Sequence, residues 1–227
     1  EGRIGAGYTG AKDINLAVGG AFGRGVSLDG NRLAVGDHLD DGASSSCGNC
    51  GAVYLFTFAD AAFSGGTLAG RIGEGYTGAN DVNLAGRLES DDNFGLAVSL
   101  NGNRLAVGAG GDDGASNTCS SCGAVYFFNF TDAAFSGGAL IAETNNSLSA
   151  TSALSSSDEF GTAVSLDGNR LAVGAAVDDG ATNNCSNCGA VYLFTFADSD
   201  FSGATLAARI GAGYSAGKDL NLAGMLD

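Results

Sequence analysis

Six cysteines, a recurring pair of aspartates and a single histidine are the side chains of this sequence best equipped for chemistry. The cysteines form three C-x-x-C pairs: Cys47 with Cys50, Cys119 with Cys122, and Cys185 with Cys188. As local disulfides they pin three equivalent loops, each closure worth about 2 kcal/mol, and they imply an oxidising, extracytoplasmic setting. Zinc asks for four ligands, so two pairs would have to converge, whereas the pairs come once per repeat and no histidine recurs with them. A redox role expects C-x-x-C at the start of a helix, whereas these pairs lie among Gly, Ser and Asn. The pairs are therefore read as three disulfides.

Each pair follows an acidic tripeptide: Asp40-Asp41-Gly42, Asp112-Asp113-Gly114 or Asp178-Asp179-Gly180. With backbone carbonyls such carboxylates can hold calcium, which takes six to eight oxygens; the same tripeptide also makes a plain solvated turn. His38 stands where the other copies carry Ala or Gly, so it reads as a surface loop residue and no Ser-His-Asp set is in view. The acidic residues recur with the repeat, and no one pair stands out for glycosidase chemistry. Gly-rich GEGYTG leads into neither a helix nor Lys-Ser/Thr, which argues against a phosphate loop. The chain does not read as an enzyme. Sequons at Asn129, Asn145 and Asn184 would accept N-linked glycan in an exported protein.

These residues are positioned by a stretch written three times. FGRGVSLDGNRLAVGDHLDDGASSSCGNCGAVYLFTF (Phe22 to Phe58) returns without a gap from Phe94 to Phe130 and from Phe160 to Phe196. Self-similarity of this length marks a repeat architecture. We divide the chain into a partial unit over 1–21, the fourth strand of a preceding unit, then repeats over 22–93, 94–159 and 160–227. Within each repeat V-S-L, an Asp-Gly or Asn-Gly turn and N-R-L-A-V-G predict a tight hairpin of type I′. GAVYLFTF is apolar on nearly every residue, as a strand covered on both faces is. TLAGRIG supplies a weaker, outer fourth strand. Helical periodicity and proline are both absent. Four short antiparallel strands in meander order, stacked unit on unit, predict an all-β, propeller-like array.

The phrase RIGAGYTGAKDINLA near the start recurs at Arg71 to Ala85 and, as RIGAGYSAGKDLNLA, at Arg209 to Ala223. The second repeat lacks it and carries ETNNSLSATSALSSSDE instead, read as an exposed loop. Of 227 residues, 25 are Asp or Glu against 10 Lys or Arg, a net charge of −15. Such a surface repels nucleic acid and anionic membrane, and no apolar run reaches membrane-spanning length. The sequence starts at Glu1 inside a period, and we read it as a processed or excised piece of something longer.

Phe-Gly at the head of each unit, V-S-L-x-G-N-R-L-A-V-G in its middle and G-A-V-Y-x-F at its end together resemble the FG-GAP repeat. That repeat builds the propeller of integrin α-subunits, and this chain is similar to the version without a long calcium loop found in very large bacterial surface proteins. The resemblance implies Gly-Ala-Pro after the second strand, where Gly36-Asp37-His38, Gly108-Ala109-Gly110 and Gly174-Ala175-Ala176 stand instead. The integrin calcium loop is missing, so calcium at Asp40, Asp41, Asp112, Asp113, Asp178 and Asp179 does not carry over from it. A closed propeller ring takes about four to eight blades. Three units therefore suggest an open propeller, one completed by neighbouring chains, or a filament. Exposed edges are templates for pairing with another chain. We expect self-association through the terminal phrases, with Arg3, Ile4 and Tyr8 at one end and Arg209, Ile210 and Tyr214 at the other. The competing expectation is a cell-surface adhesion module whose loops bind a glycan or a protein.

Overall fold

The computed structural model describes residues 2–16, 19–114, 116–144 and 154–226. All the regular structure in them is β. Strands β1 (Ile4–Gly5) and β2 (Ile14–Asn15) form a small parallel pair. The first sheet runs β3 (Gly25–Asp29), β4 (Arg32–Asp37), β5 (Ala52–Thr57), β6 (Thr67–Gly73) and β7 (Val82–Asn83) in sequence order. The second comprises β8 (Phe94–Asn101), β9 (Arg104–Ala109), β10 (Ala124–Asn129) and β11 (Ala139–Thr144). The third comprises β12 (Phe160–Asp167), β13 (Arg170–Ala175), β14 (Ala190–Thr195), β15 (Thr205–Gly211) and β16 (Leu220–Asn221). Each sheet is thus a meander of four antiparallel strands, as a propeller blade is.

Two details differ from what the sequence predicts. The hairpin register pairs Asp29 with Arg32, so Gly30 and Asn31 are the loop residues. Only Gly30 has positive φ (+59°), and Gly at the first loop position with φ > 0 makes a type II′ turn rather than type I′. Second, the first and third blades gain a short fifth strand, parallel to the fourth. Its cause is local. Asp81 accepts the Arg71 N–H at 2.7 Å and the Gly78 N–H at 2.7 Å, folding the chain back, and Asn83 then caps Gly75 N–H at 2.9 Å. Asp13 with Asn15, and Asp219 with Asn221, repeat this arrangement.

The blades stack face to face, β8 against β3 and β4, and β12 against β8 and β9. Ala-Val-Tyr-Leu-Phe-Thr reads out the consequence twice. In β5 its first five residues are all buried, whereas in β14 Ala190, Tyr192 and Phe194 are buried and Val191 and Leu193 only half so. The sequence is the same; only the first of these blades has another blade on that face. Phe94, Tyr126 and Phe128 anchor the second blade with edge-to-face ring contacts at 5.3 and 6.0 Å, and Phe22 and Phe160 do the same in theirs.

Candidate functional site: the seam between blades and its open halves

The seam is made by three features of the repeated stretch. The first is a close backbone approach. A Cβ added to Gly36 would fall 1.8 Å from the Gly95 carbonyl oxygen, and one on Gly108 would fall 1.8 Å from that of Gly161. Only glycine fits there, so the Gly of Phe-Gly and the Gly after the second strand serve one contact.

The second feature is the cysteine loop. Phe94 N–H donates to the Cys50 carbonyl at 2.9 Å, Asn93 N–H to that of Asn49 at 3.1 Å, and Asp91 N–H to that of Gly48 at 2.9 Å. Phe160, Glu159 and Ser157 pair in the same way with Cys122, Ser121 and Ser120. The C-x-x-C loop is therefore a clamp on the lead-in to the next blade. Cys119 is bonded to Cys122 and Cys185 to Cys188. The third expected bridge is not formed: Cys47 and Cys50 are free, buried thiols. The Cys50 thiol points at the Cys47 carbonyl, 3.1 Å away, and the Cys47 thiol at that of Leu88, so each faces an oxygen. Burial pushes both thiols up, which keeps them protonated.

The third feature is polar and was missed in the sequence, although Asn-Arg after all three turns was the available signal. Arg32 donates to the Gly102 carbonyl at 2.6 Å and Asn103 Oδ1 at 3.1 Å, and lies 5.4 Å from the Phe135 ring. Arg104 repeats this on Gly168, Asn169 and, at 3.9 Å, Phe201. Ser27 Oγ takes the Leu100 N–H at 2.9 Å, and Ser99 Oγ takes that of Leu166 at 2.9 Å.

Each half of this seam also exists alone. On the first blade Val26 and Leu28 are 60% and 52% exposed, while their equivalents Val98 and Leu100 are 7% and 6% exposed inside a seam. Phe63, the counterpart of Phe135 and Phe201, is exposed as well. On the third blade Arg170 pairs only with its neighbour Asp167, and its side chain is 74% exposed against 11% for Arg32. A groove of about 410 Å³ runs beside Ser165, Asp167 and Arg170. An apolar recess of about 340 Å³ lies over Gly174, Cys188, Gly189 and Ile210.

The acidic loops have a structural use. Asp40 accepts Tyr54 OH at 2.8 Å, Tyr76 OH at 2.8 and 3.0 Å, and the Gly42 N–H at 2.8 Å. Asp178 does the same with Tyr192, Tyr214 and Gly180. Asp112 holds Tyr126 OH at 2.6 Å and the Gly114 N–H at 2.7 Å. Asp41, Asp113 and Asp179 accept the N–H groups of Asn49, Ser121 and Asn187. Among the described residues no group of three or more His, Cys, Asp or Glu is arranged to hold a metal ion. In the first aspartate of each loop, Asp40, Asp112 and Asp178, both carboxylate oxygens are engaged by protein donors.

Of the six residues expected at the self-association ends, Tyr214 is corrected: it is buried on Asp178 and unavailable to a partner. Arg3 and Arg209 pair with Asp13 and Asp219 and stack on Tyr8 and Tyr214 at 4.6 and 4.5 Å, so they brace their own segments. Ile4 is half-buried against the first blade, and Ile210 lines the open recess of the third. Asn129 is half-buried and its amide donates to Asp200 at 3.0 Å, which disfavours a glycan there. Asn184 is exposed, and Asn145 lies outside the described residues. His38 is half-buried, its Nδ1 without a hydrogen-bond partner.

The FG-GAP repeat family matches residues 15–56, 84–128 and 146–194, more than half of the chain. The chain belongs to the FG-GAP repeat family. No curated protein matches it. FG-GAP repeats are of an extracellular, adhesion type rather than an enzymatic one. No helix among the described residues is long and apolar enough to cross a membrane.

Proposed function

We propose that this chain is an extracellular structural repeat protein that self-associates head to tail. The open face of the third blade in one copy receives the open face of the first blade in the next. One observation carries the reading: the two exposed faces are the two halves of a seam that the chain already makes twice. Laid on the existing seams, Arg170 meets the Gly30 carbonyl, Asn31 Oδ1 and the Phe63 ring, Ser165 Oγ meets Leu28 N–H, and Phe22 N–H meets the Cys188 carbonyl. A head-to-tail contact of this kind closes into a ring or runs on as a filament, depending on its rotation. The bonded cysteine pairs and the FG-GAP family support an extracellular setting.

Sedimentation velocity of residues 1–227 over a range of concentrations tests this. The expected result is mass growing in steps of 22.3 kDa, abolished by Arg170→Glu. A single 22.3 kDa species at every concentration would refute it. A second reading, adhesion to a glycan or protein through the loops, is favoured by the asymmetry of the second repeat. There Glu143 stands at the place of Arg71 and Arg209, beside Glu89, Asp92 and Asp113 around a recess of about 240 Å³. Retention of glycan or protein binding by the non-assembling Arg170→Glu chain would separate adhesion from assembly.

A further inference from the structure

One residue differs among the three hairpin turns. Asp29 and Asp167 open the first and third, and Asn101 opens the second. Each faces an arginine across its hairpin: Arg32, Arg170 and Arg104 respectively. Asp29 takes Arg32 Nη2 at 2.9 Å, and Asp167 pairs with Arg170. Asn101 instead gives its Oδ1 to the Gly168 N–H at 3.2 Å. Arg104 is only 7% exposed, yet among the described residues its Nε and Nη2 find no acceptor. A buried donor left without a partner is costly, and more so when it is charged. Burial also pulls the Arg104 guanidinium below its ordinary range, against Asp198 and Asp200. The seam between the second and third blades thus lacks the carboxylate that the seam between the first and second has.

We infer that Asn101-Gly102 is a self-modifying site that supplies this carboxylate by losing its side-chain amide as ammonia. It is the one Asn-Gly in the sequence. The Gly102 nitrogen attacks Asn101 Cγ. The new Cγ–N bond closes a succinimide ring, and the Cγ–Nδ2 bond breaks to release ammonia. Water then opens the ring at Cγ, which restores the peptide bond and leaves an aspartate side chain at 101. The surroundings fit both steps. Gly102 is exposed, and a Cβ there would meet nothing within 4 Å, so ring and water have room. The proton that the Gly102 nitrogen must lose points at Asp29 Oδ2, 2.7 Å away and within reach of a general base. Asp29 passes it to the departing ammonia. The Gly168 N–H on Asn101 Oδ1 stands where negative charge gathers as Cγ becomes tetrahedral. The first and third blades thus bracket the reacting atoms of the second. The product can hold Gly168 N–H and Arg104 together, as Asp29 already holds Gly102 N–H and Arg32.

Incubation of residues 1–227 at pH 8, followed by ammonia assay and peptide mapping, tests this. The expected result is one ammonia per chain and aspartate at 101. The melting temperature should rise with conversion by about 2–4 °C, as one added charge-assisted hydrogen bond brings in a chain of this size. Asn101→Asp should show the whole rise at once. Asp29→Asn gives the first turn the residue that the second already carries, so the hairpin persists without its base. It should release ammonia about a hundredfold more slowly. Three results overturn the inference: no ammonia from Asn101 in the folded chain, isoaspartate as the main product, or an Asn101→Asp chain that melts no higher. Equally fast release from Asp29→Asn overturns it too, because the reaction would then belong to any Asn-Gly turn.

Discussion

Replacing Gly108 by alanine and, separately, Gly174 by alanine probes the same position of the repeat in two settings. At Gly108 the new methyl would fall 1.8 Å from the Gly161 carbonyl oxygen, backbone against backbone, and contact distance can be regained only by separating the second and third blades. At Gly174 the nearest atom is the Ala163 Cβ at 3.2 Å, a contact that a shift of a few tenths of an ångström relieves. Neither glycine has positive φ, so strain in the backbone is not at issue. Overpacking a tight core costs about 1–3 kcal/mol even where flexible side chains can yield; with rigid backbone on both sides, Gly108→Ala should cost about 3 kcal/mol or more. For a chain of this size that lowers the melting temperature by about 6–12 °C. Gly174→Ala should leave melting unchanged or raise it slightly, because alanine restricts the unfolded chain. It should nevertheless block assembly, since an incoming Gly23 carbonyl would meet the methyl. Calorimetry and sedimentation of the two variants decide the matter. Equal stability of Gly108→Ala and the unmodified chain, or normal assembly of Gly174→Ala, would refute the reasoning.

Three further outcomes follow from the geometry. Burial, opposed by the Glu89 N–H bond and reinforced by Asp112, Glu89 and Asp113, raises the Asp92 carboxyl to about 7, against about 3.9 in the unfolded chain. The stability tied to its protonated form is fully present below about pH 4 and is lost as pH rises through 7; Asp92→Asn should therefore stabilise the chain by up to about 4 kcal/mol at pH 8, three pKa units at about 1.4 kcal/mol each, and not at pH 4, read by urea unfolding at both. Cys47 and Cys50, buried with raised thiols, should resist iodoacetamide in the folded chain and react on denaturation, as mass spectrometry of the labelled peptides will report. Each copy carries a net charge of −15, so added salt should shorten the range of repulsion and lower the concentration needed for assembly; light scattering that falls with salt would count against it.

Much of the blade was legible because its code is local. Asp-Gly-Asn or Asn-Gly-Asn after Val-Ser-Leu announces a hairpin, and a run such as Ala-Val-Tyr-Leu-Phe announces a strand covered on both faces. The turn was misassigned by one residue because Asp-Gly and Gly-Asn overlap, and only the register of Asp29 with Arg32 shows which pair forms the loop. The parallel fifth strand was hidden because two residues, Val82 and Asn83, carry no periodicity, and Asp81 and Asn83 act through backbone amides several residues away. The acidic loops invited a metal because the tyrosines that occupy Asp40 lie 14 and 36 residues away in sequence. The seam role of Arg32 and Arg104 was hidden because their partners Gly102 and Gly168 belong to the next repeat.

Cryo-electron microscopy of the assembled chain tests the central claim most directly. The account predicts that the contact between copies reproduces the seam within a copy, with the Arg170 guanidinium on the Gly30 carbonyl and Asn31, and Phe63 beneath it. A contact made through any other surfaces, with Val26, Leu28 and Arg170 still facing solvent, would contradict it.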